Sequence, residues 1–175
     1  VCKNVRMPQI WQILMDYGID FNGKSLLDLG AGYGDLCLLA YDSGAKSVTY
    51  IDNSSHNCSS MIDRIGDRKI TVECADIEDY KWLTKWNPEW DYISCLSVIP
   101  YLTNHNEFLG TVSGTKSTFL LECQYAGDGP GFKYVTSDRQ MAFWLSNYWD
   151  SIESIGRTLV KDRQKYRTIW VCKNE

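Results

Sequence analysis

Only two histidines, His56 and His105, and four prolines occur among 175 residues, and none of the seven cysteines stands in a CxxC pair. Two histidines and isolated thiols give no zinc-ligand spacing, and an odd cysteine count gives no disulfide framework, so no metal is expected. Cys74, Cys95 and Cys123 fall in apolar runs, where a reduced thiol acts as a small hydrophobe. A reducing cytoplasm is the simplest compartment. No apolar run approaches the roughly 20 residues of a membrane span, so no membrane partner is expected. The opening VCKNVRMPQIW lacks the charged-then-apolar order of a signal peptide. Basic excess is also missing: 18 Lys and Arg stand against 22 Asp and Glu, a net charge of -4. That balance argues against a surface coated for nucleic-acid phosphates. The one basic stretch holds Arg157, Lys161, Arg163, Lys165, Arg167 and Lys173 against Asp162 alone, and reads first as a solvated hairpin face.

What is present suits a globular domain. The hydrophobic fraction is 44% and the charged fraction 23%, which excludes a disordered or fibrous chain. A chain of this length buries roughly 70% of its unfolded surface. With no repeat and no linker, residues 1–175 are expected to form one domain, an N-terminal helix within 1–20 followed by a core over 24–175.

Strand and helix patterns alternate along the chain. Met7, Ile10, Trp11, Leu14 and Met15 fall at helical spacing, with Pro8 in the first turn and Gly18 as the stop. Strands are predicted at 25–29, 47–51, 70–74, 91–96 and 118–123. Helices are predicted at 35–43, from a cap at Ser54 or Ser55 to Ile65, at 79–86, at 102–109 with Asn104 as a possible cap, and at 137–148. A Gly-rich loop is expected at 126–136. Two further strands, near 152–160 and 166–172, are joined by a polar turn. This order indicates an α/β fold with a mostly parallel sheet of about seven strands, helices on both faces and a C-terminal antiparallel hairpin.

The sharpest local signal is Leu26-Leu27-Asp28-Leu29-Gly30-Ala31-Gly32-Tyr33-Gly34, after the first strand and before a helix. Glycines at alternate positions let backbone turn sharply and approach a ligand at a helix N-terminus. The spacing separates rival ligands. A P-loop needs GxxxxGK[ST], which is absent, and in a dinucleotide fingerprint the third glycine would come one residue later. Asp28 would oppose a phosphate but suits a cationic group. Asp52 closes the second strand 22 residues after Gly30, near the spacing of a ribose-binding carboxylate. Asp76, after the third strand, can accept from an exocyclic amine, with Ile77 against a base plane. Each Asp alone can equally cap a loop; together they line successive strand ends.

In these features the chain resembles the class I S-adenosylmethionine-dependent methyltransferases over almost its whole length. The resemblance implies a Rossmann-like three-layer sandwich with strand order 3-2-1-4-5-7-6, and S-adenosylmethionine as cofactor. It implies that Gly30, Ala31, Gly32, Tyr33 and Gly34 hold the methionine part, with Asp28 near its amino end and Tyr33 as a possible lid. Asp52 would take the ribose hydroxyls, Asn53 would lie beside the adenosine, and Asp76 and Ile77 would meet the adenine. Leu96 and Ser97 would lie under the cofactor near the sulfonium.

The acceptor side is less defined. Glu122 at the end of strand five, Tyr101 after strand four and His105 nearby are the candidate catalytic residues. Against these stand plainer roles: Tyr101 in the core, Glu122 paired with a hairpin Arg or Lys, and His105 on a helix surface. The strip 124–134, with Tyr125, Phe132 and Tyr134 among glycines, is a candidate acceptor-shaping loop. Ser97-Val-Ile-Pro-Tyr101 lacks the leading amide or carboxylate of the DNA amino-methylating enzymes, which argues against a DNA acceptor. A small-molecule acceptor is favoured, with RNA or protein as alternatives. Two other readings stay open: a non-catalytic cofactor-binding subunit of a partner, and, less favoured by the glycine spacing, a nicotinamide-dependent oxidoreductase.

Overall fold

A computed structural model describes residues 4–80, 89–123, 135–160 and 165–175. Its elements run α1 (Met7–Tyr17), β1 (Ser25–Leu29), α2 (Asp35–Asp42), β2 (Ser47–Asp52), α3 (Ser55–Ile65), β3 (Ile70–Cys74), β4 (Tyr92–Leu96), α4 (His105–Ser113), β5 (Thr118–Cys123), α5 (Asp138–Leu145), β6 (Ser151–Val160) and β7 (Lys165–Lys173). Single 3₁₀ turns occupy Ile77–Asp79 and Ile99–Tyr101. The seven strands form one sheet in the order β3-β2-β1-β4-β5-β7-β6, as anticipated. Strands β1 to β5 pair in parallel, and the β6–β7 hairpin runs antiparallel against β5.

Side-chain alternation sorts the core onto two faces. Leu27, Leu29, Ile93, Cys95, Phe119, Leu121 and Trp170 point to the face covered by α4 and α5, where Phe108, Leu109, Met141 and Leu145 meet them. Leu26, Val48, Tyr50, Leu120, Ile169 and Val171 point to the other face, under α1, α2 and α3. Asp28 and Glu122 fall in this second register, which turns both carboxylates toward the α1 and α2 side.

Local signals set the helix limits. Ser54, Asn104 and Ser137 each accept a backbone N–H three residues on and start α3, α4 and α5. The helix expected at 102–109 begins later, at His105. Pro100 sits in the 3₁₀ turn and Leu102 is extended, so the chain enters the helix only past the Asn104 cap. The helix expected at 79–86 and the hairpin turn fall largely outside the described residues.

At the strand N-termini, Asp91 clasps β1 to β4. Its Oδ2 accepts from the Ser25 backbone N–H at 2.8 Å and hydroxyl at 2.9 Å, and its own N–H donates to Ser25 Oγ at 2.9 Å. Among the described residues no helix is long and apolar enough to cross a membrane.

Candidate functional site

The opposite, C-terminal edge of the sheet carries the glycine loop. Ala31 N–H donates to Ile51 O at 3.0 Å, and Tyr50 Oη donates to Gly32 O at 2.7 Å, so the loop between β1 and α2 is pinned to β2. Two glycines serve different ends. At Gly34 (φ +71°) a Cβ would collide with Met61 and lie 3.3 Å from Tyr50, so this glycine lets α2 start against the core. At Gly32 (φ +54°) a Cβ would meet nothing within 4 Å. Its Cβ position faces open space at the cavity wall rather than packed side chains.

Asp28, beneath the loop, is 3% exposed. It accepts from Ser94 Oγ at 2.7 Å and from Cys37 Sγ at 3.4 Å. Burial pushes its carboxyl up to about 6, against the lowering effect of those two hydrogen bonds, and nearby Asp52 adds to the rise. A buried carboxylate with only neutral donors favours the approach of a cation. It borders a cavity of about 120 Å³, walled also by Arg6, Gly30, Tyr33, Leu96 and Ser97. Ala31 and Gly32 complete that wall, and Tyr33 is half-exposed beside it.

Asp52 ends β2 with both oxygens engaged. Oδ2 accepts from Gly32 N–H at 2.8 Å; Oδ1 accepts from Ser54 N–H at 2.9 Å and Asn57 Nδ2 at 3.2 Å. A carboxylate has about four acceptor positions, so capacity for a further donor remains. Asn53 is exposed next to it. Asp76 caps the 3₁₀ turn, accepting from Glu78 N–H at 2.9 Å, while Ile77 is buried in the core.

Glu122 is fully buried. Its Oε1 accepts from Arg6 Nη1 and from Thr158 Oγ1 at 2.6 Å; its Oε2 accepts from Ser97 Oγ and lies 4.0 Å from Arg167 Nη1. Arg6 Nη2 and Arg167 Nη1 both donate to Ser97 Oγ, at 3.0 and 2.9 Å. Ser97 itself adopts φ +67°, a conformation costing about 1–3 kcal/mol for a residue with a Cβ. Tyr101 is 60% exposed on the 3₁₀ turn after β4, and the His105 ring meets Trp144 edge-on at 6.1 Å. The candidate acceptor-shaping loop at 124–134 lies outside the described residues.

The loop, Asp28, Asp52, Leu96 and Ser97 thus gather at one edge. Sequence reading missed Arg6, Ser94, Cys37 and Asn57, while the alternative of Glu122 paired with a hairpin Arg is met by Arg167, whose Nη1 lies 4.0 Å from Oε2. Ser94 was reachable, since it lies at the same alternation as Leu96 on the strand beside β1. Arg6 gives no local signal, because its partner lies 116 positions away. Among the described residues, no group of three or more His, Cys, Asp or Glu is placed to hold a metal ion.

No protein-family model matches the chain, and no curated protein matches it in sequence. Solved structures do match in fold. A Listeria monocytogenes protein assigned as an S-adenosylmethionine-dependent methyltransferase superposes with a TM-score of 0.70 at 16% identity, covering 97% of this chain and 100% of that one. An S-adenosylmethionine-dependent methyltransferase from Mesorhizobium loti gives 0.67 at 14% identity, covering 93% and 97%. The bifunctional kinase-methyltransferase WbdD gives 0.73 at 17% identity, covering 99% of this chain but 40% of its own. The fold is the Rossmann-like one of the class I S-adenosylmethionine-dependent methyltransferases.

Proposed function

We propose that this protein binds S-adenosylmethionine at the C-terminal edge of β1 and β2 and transfers its methyl group to an acceptor. One observation carries the reading: the buried Asp28 carboxylate adjoins a cavity walled by Gly32, whose open face is fixed by Asp52. The set of carboxylate acceptors fits this cofactor. Asp28 suits a cationic ammonium, and Asp52 keeps capacity for a ribose hydroxyl. Asp76, exposed after β3, has its second oxygen for an adenine amine. At about 120 Å³ the cavity is below the roughly 300–1,000 Å³ that encloses a drug-sized ligand. It suits the amino-acid end, with the nucleoside running along the strand ends.

When bound, the cofactor's sulfonium makes its methyl group electrophilic. The chain's task is then to hold an acceptor in line, and placement alone supplies much of the rate. Tyr101, exposed after β4, is our candidate for contact with the acceptor. Glu122 is better suited to anchoring than to taking a proton, because both its oxygens are occupied. We favour a small-molecule acceptor. The described arginines beside the cavity are each engaged by a carboxylate, Arg6 and Arg167 by Glu122 and Arg64 by Asp35 at 2.5 Å. They form no stripe tracking a phosphate backbone.

Calorimetry with S-adenosylmethionine, with NADH as comparator, tests the reading. Micromolar binding of the first alone, weakened in Asp52→Ala, is the expected result. Absence of binding to S-adenosylmethionine removes the proposal, and binding of NADH instead transfers the site to hydride chemistry. Binding without formation of S-adenosylhomocysteine across an acceptor screen supports a cofactor-binding subunit.

A further inference from the structure

We propose that Cys74 and Cys58 form a reversible thiol-modification site at the edge of the sheet: a small disulfide such as oxidised glutathione caps Cys74, and Cys58 displaces the cap to leave a Cys58–Cys74 disulfide. Three observations bring the two thiols together. Ile70 and Val72 turn toward the side of the sheet covered by α3, and Cys74 holds the same alternation on β3. Asp52 and Cys74 are register partners at the ends of β2 and β3, and Cys58 reaches that point from the opening of α3, its Sγ donating to Asp52 O at 3.4 Å. The Cys58 and Cys74 thiols lie within hydrogen-bonding reach of each other.

Their surroundings differ. β3 is an edge strand and Cys74 is exposed, whereas Cys37, Cys58, Cys95, Cys123 and Cys172 are buried. Exposure opens Cys74 to the first attack. Burial first, then the hydrogen bond with Cys74 and its charge, push the Cys58 thiol up to about 12, so Cys58 does not compete for that step. The Cys74 thiolate attacks one sulfur of oxidised glutathione; the S–S bond breaks and one glutathione leaves, taking up the Cys74 proton. The cap abolishes the Cys74 charge and with it part of the rise at Cys58. The Cys58 thiolate then attacks Cys74 Sγ and expels the second glutathione, which takes up the Cys58 proton. Two protein thiols are oxidised by two electrons, and one oxidised glutathione is reduced to two thiols.

This chemistry stands alone; its effect on cofactor binding rests on the methyltransferase reading above. A disulfide holds its Cβ atoms about 3.8 Å apart, closer than two thiols in hydrogen-bonding contact require. It also takes Cys58 Sγ away from Asp52 O. The opening of α3 is drawn toward β3, and with it Ser54 and Asn57, which hold Asp52 Oδ1. The carboxylate proposed for the ribose is thereby turned from its position, and affinity falls.

The test treats reduced protein with excess oxidised glutathione and reads the peptides carrying Cys58 and Cys74 by mass spectrometry without reductant. Wild type is expected to give the Cys58–Cys74 cross-link, with loss of two hydrogens and no retained glutathione. Cys58→Ser is expected to keep the glutathione adduct on Cys74, and Cys74→Ser to give neither product. A lasting Cys74 adduct in wild type, or two free thiols after treatment, overturns the site. Calorimetry with S-adenosylmethionine is then run before and after treatment. Affinity of wild type is expected to fall at least about tenfold and to return with dithiothreitol, while treated Cys74→Ser binds as untreated to within about twofold. A cross-linked wild type that binds as the reduced protein does overturns the effect on Asp52 and leaves the methyltransferase reading standing. If reduced wild type binds no S-adenosylmethionine, that reading falls, and the effect on affinity falls with it; the mass measurement still decides the cross-link.

Discussion

The backbone N–H of Gly32 donates to Asp52 Oδ2 at 2.8 Å, joining the glycine loop after β1 to the last residue of β2. The same carboxylate accepts from Ser54 and Asn57 at the entrance to α3. One side chain therefore fixes the loop, starts a helix and borders the proposed ribose position.

Asp52→Ala should consequently damage both fold and binding. It leaves the Gly32 and Ser54 N–H groups without their acceptor, at about 1–3 kcal/mol for each one kept from water. Urea denaturation should show a loss of about 2–3 kcal/mol, and cofactor binding should vanish at millimolar concentration. Asp52→Asn keeps one acceptor oxygen and should lose less stability while still losing most binding. Equal binding by Asp52→Asn and wild type would remove Asp52 from the ligand site.

Asp28 makes a pH prediction whose sign follows from burial. Its folded value of about 6 stands above the 3.8 of a free side chain. A raised carboxylate destabilises the fold as pH climbs, with the cost absent below about 4 and complete above about 6. The gap between the folded and free values corresponds to about 3 kcal/mol. Asp28→Asn should therefore raise the melting temperature at pH 7.5 and leave it nearly unchanged at pH 4. Binding should move the other way. A cationic ligand needs Asp28 ionised, so wild-type affinity should fall about tenfold per pH unit below 6, and Asp28→Asn should bind weakly with a flat profile between pH 5 and 7. A wild-type affinity flat across that range would mean that Asp28 does not meet the ammonium.

The glycine loop allows a separation of folding from binding. Gly34→Ala places a Cβ against Met61 and a side chain at φ +71°, so it should lose about 2–4 kcal/mol of stability. Gly32→Ala carries the conformational penalty alone, about 1 kcal/mol, because nothing lies within 4 Å. Its methyl enters the space proposed for the ligand, so affinity should fall by more than tenfold in a protein that still melts cooperatively. Calorimetry on both variants, beside their denaturation curves, checks the contrast.

Sequence patterns exposed what is local. The five parallel strands were legible from short apolar runs bounded by turns, and the glycine loop from its spacing. The cap at Asn104, and the one at Ser54 as one of two neighbouring serines, were legible as polar residues before apolar-periodic stretches. What stayed hidden is long-range. Nothing near Arg6 announces Glu122, and nothing near Asp28 announces Cys37 across the loop. Glu122 read either as an acceptor-facing group because it ends β5, or as the partner of a hairpin Arg or Lys. The structure surrounds it with Arg6, Ser97, Thr158 and Arg167, four residues from three other parts of the chain. The later start of α4 is a smaller case, where local extension at Leu102 outweighs apolar spacing.

Asp91, at the far end of the sheet, separates stability from function. Burial works against its ionised form, but the Ser25 N–H and hydroxyl, with Lys46 and Lys24, hold its carboxyl below the usual carboxylate range. A depressed carboxylate adds stability above its unfolded value near 3.8 and loses it as pH falls through the folded value. Asp91→Asn should thus be destabilised by about 1–3 kcal/mol at pH 7, the difference from wild type closing toward pH 2. The lysines contribute little of this. Lys24 and Lys46 are 48% and 58% exposed, and such ion pairs contribute under about 1 kcal/mol, so Lys24→Ala and Lys46→Ala should each cost less than Ser25→Ala. Because Asp91 sits at the strand N-termini and the glycine loop at the C-termini, the affinity of folded Asp91→Asn for S-adenosylmethionine should match wild type. A matched loss of affinity and stability in this variant would mean that the two edges of the sheet are energetically coupled.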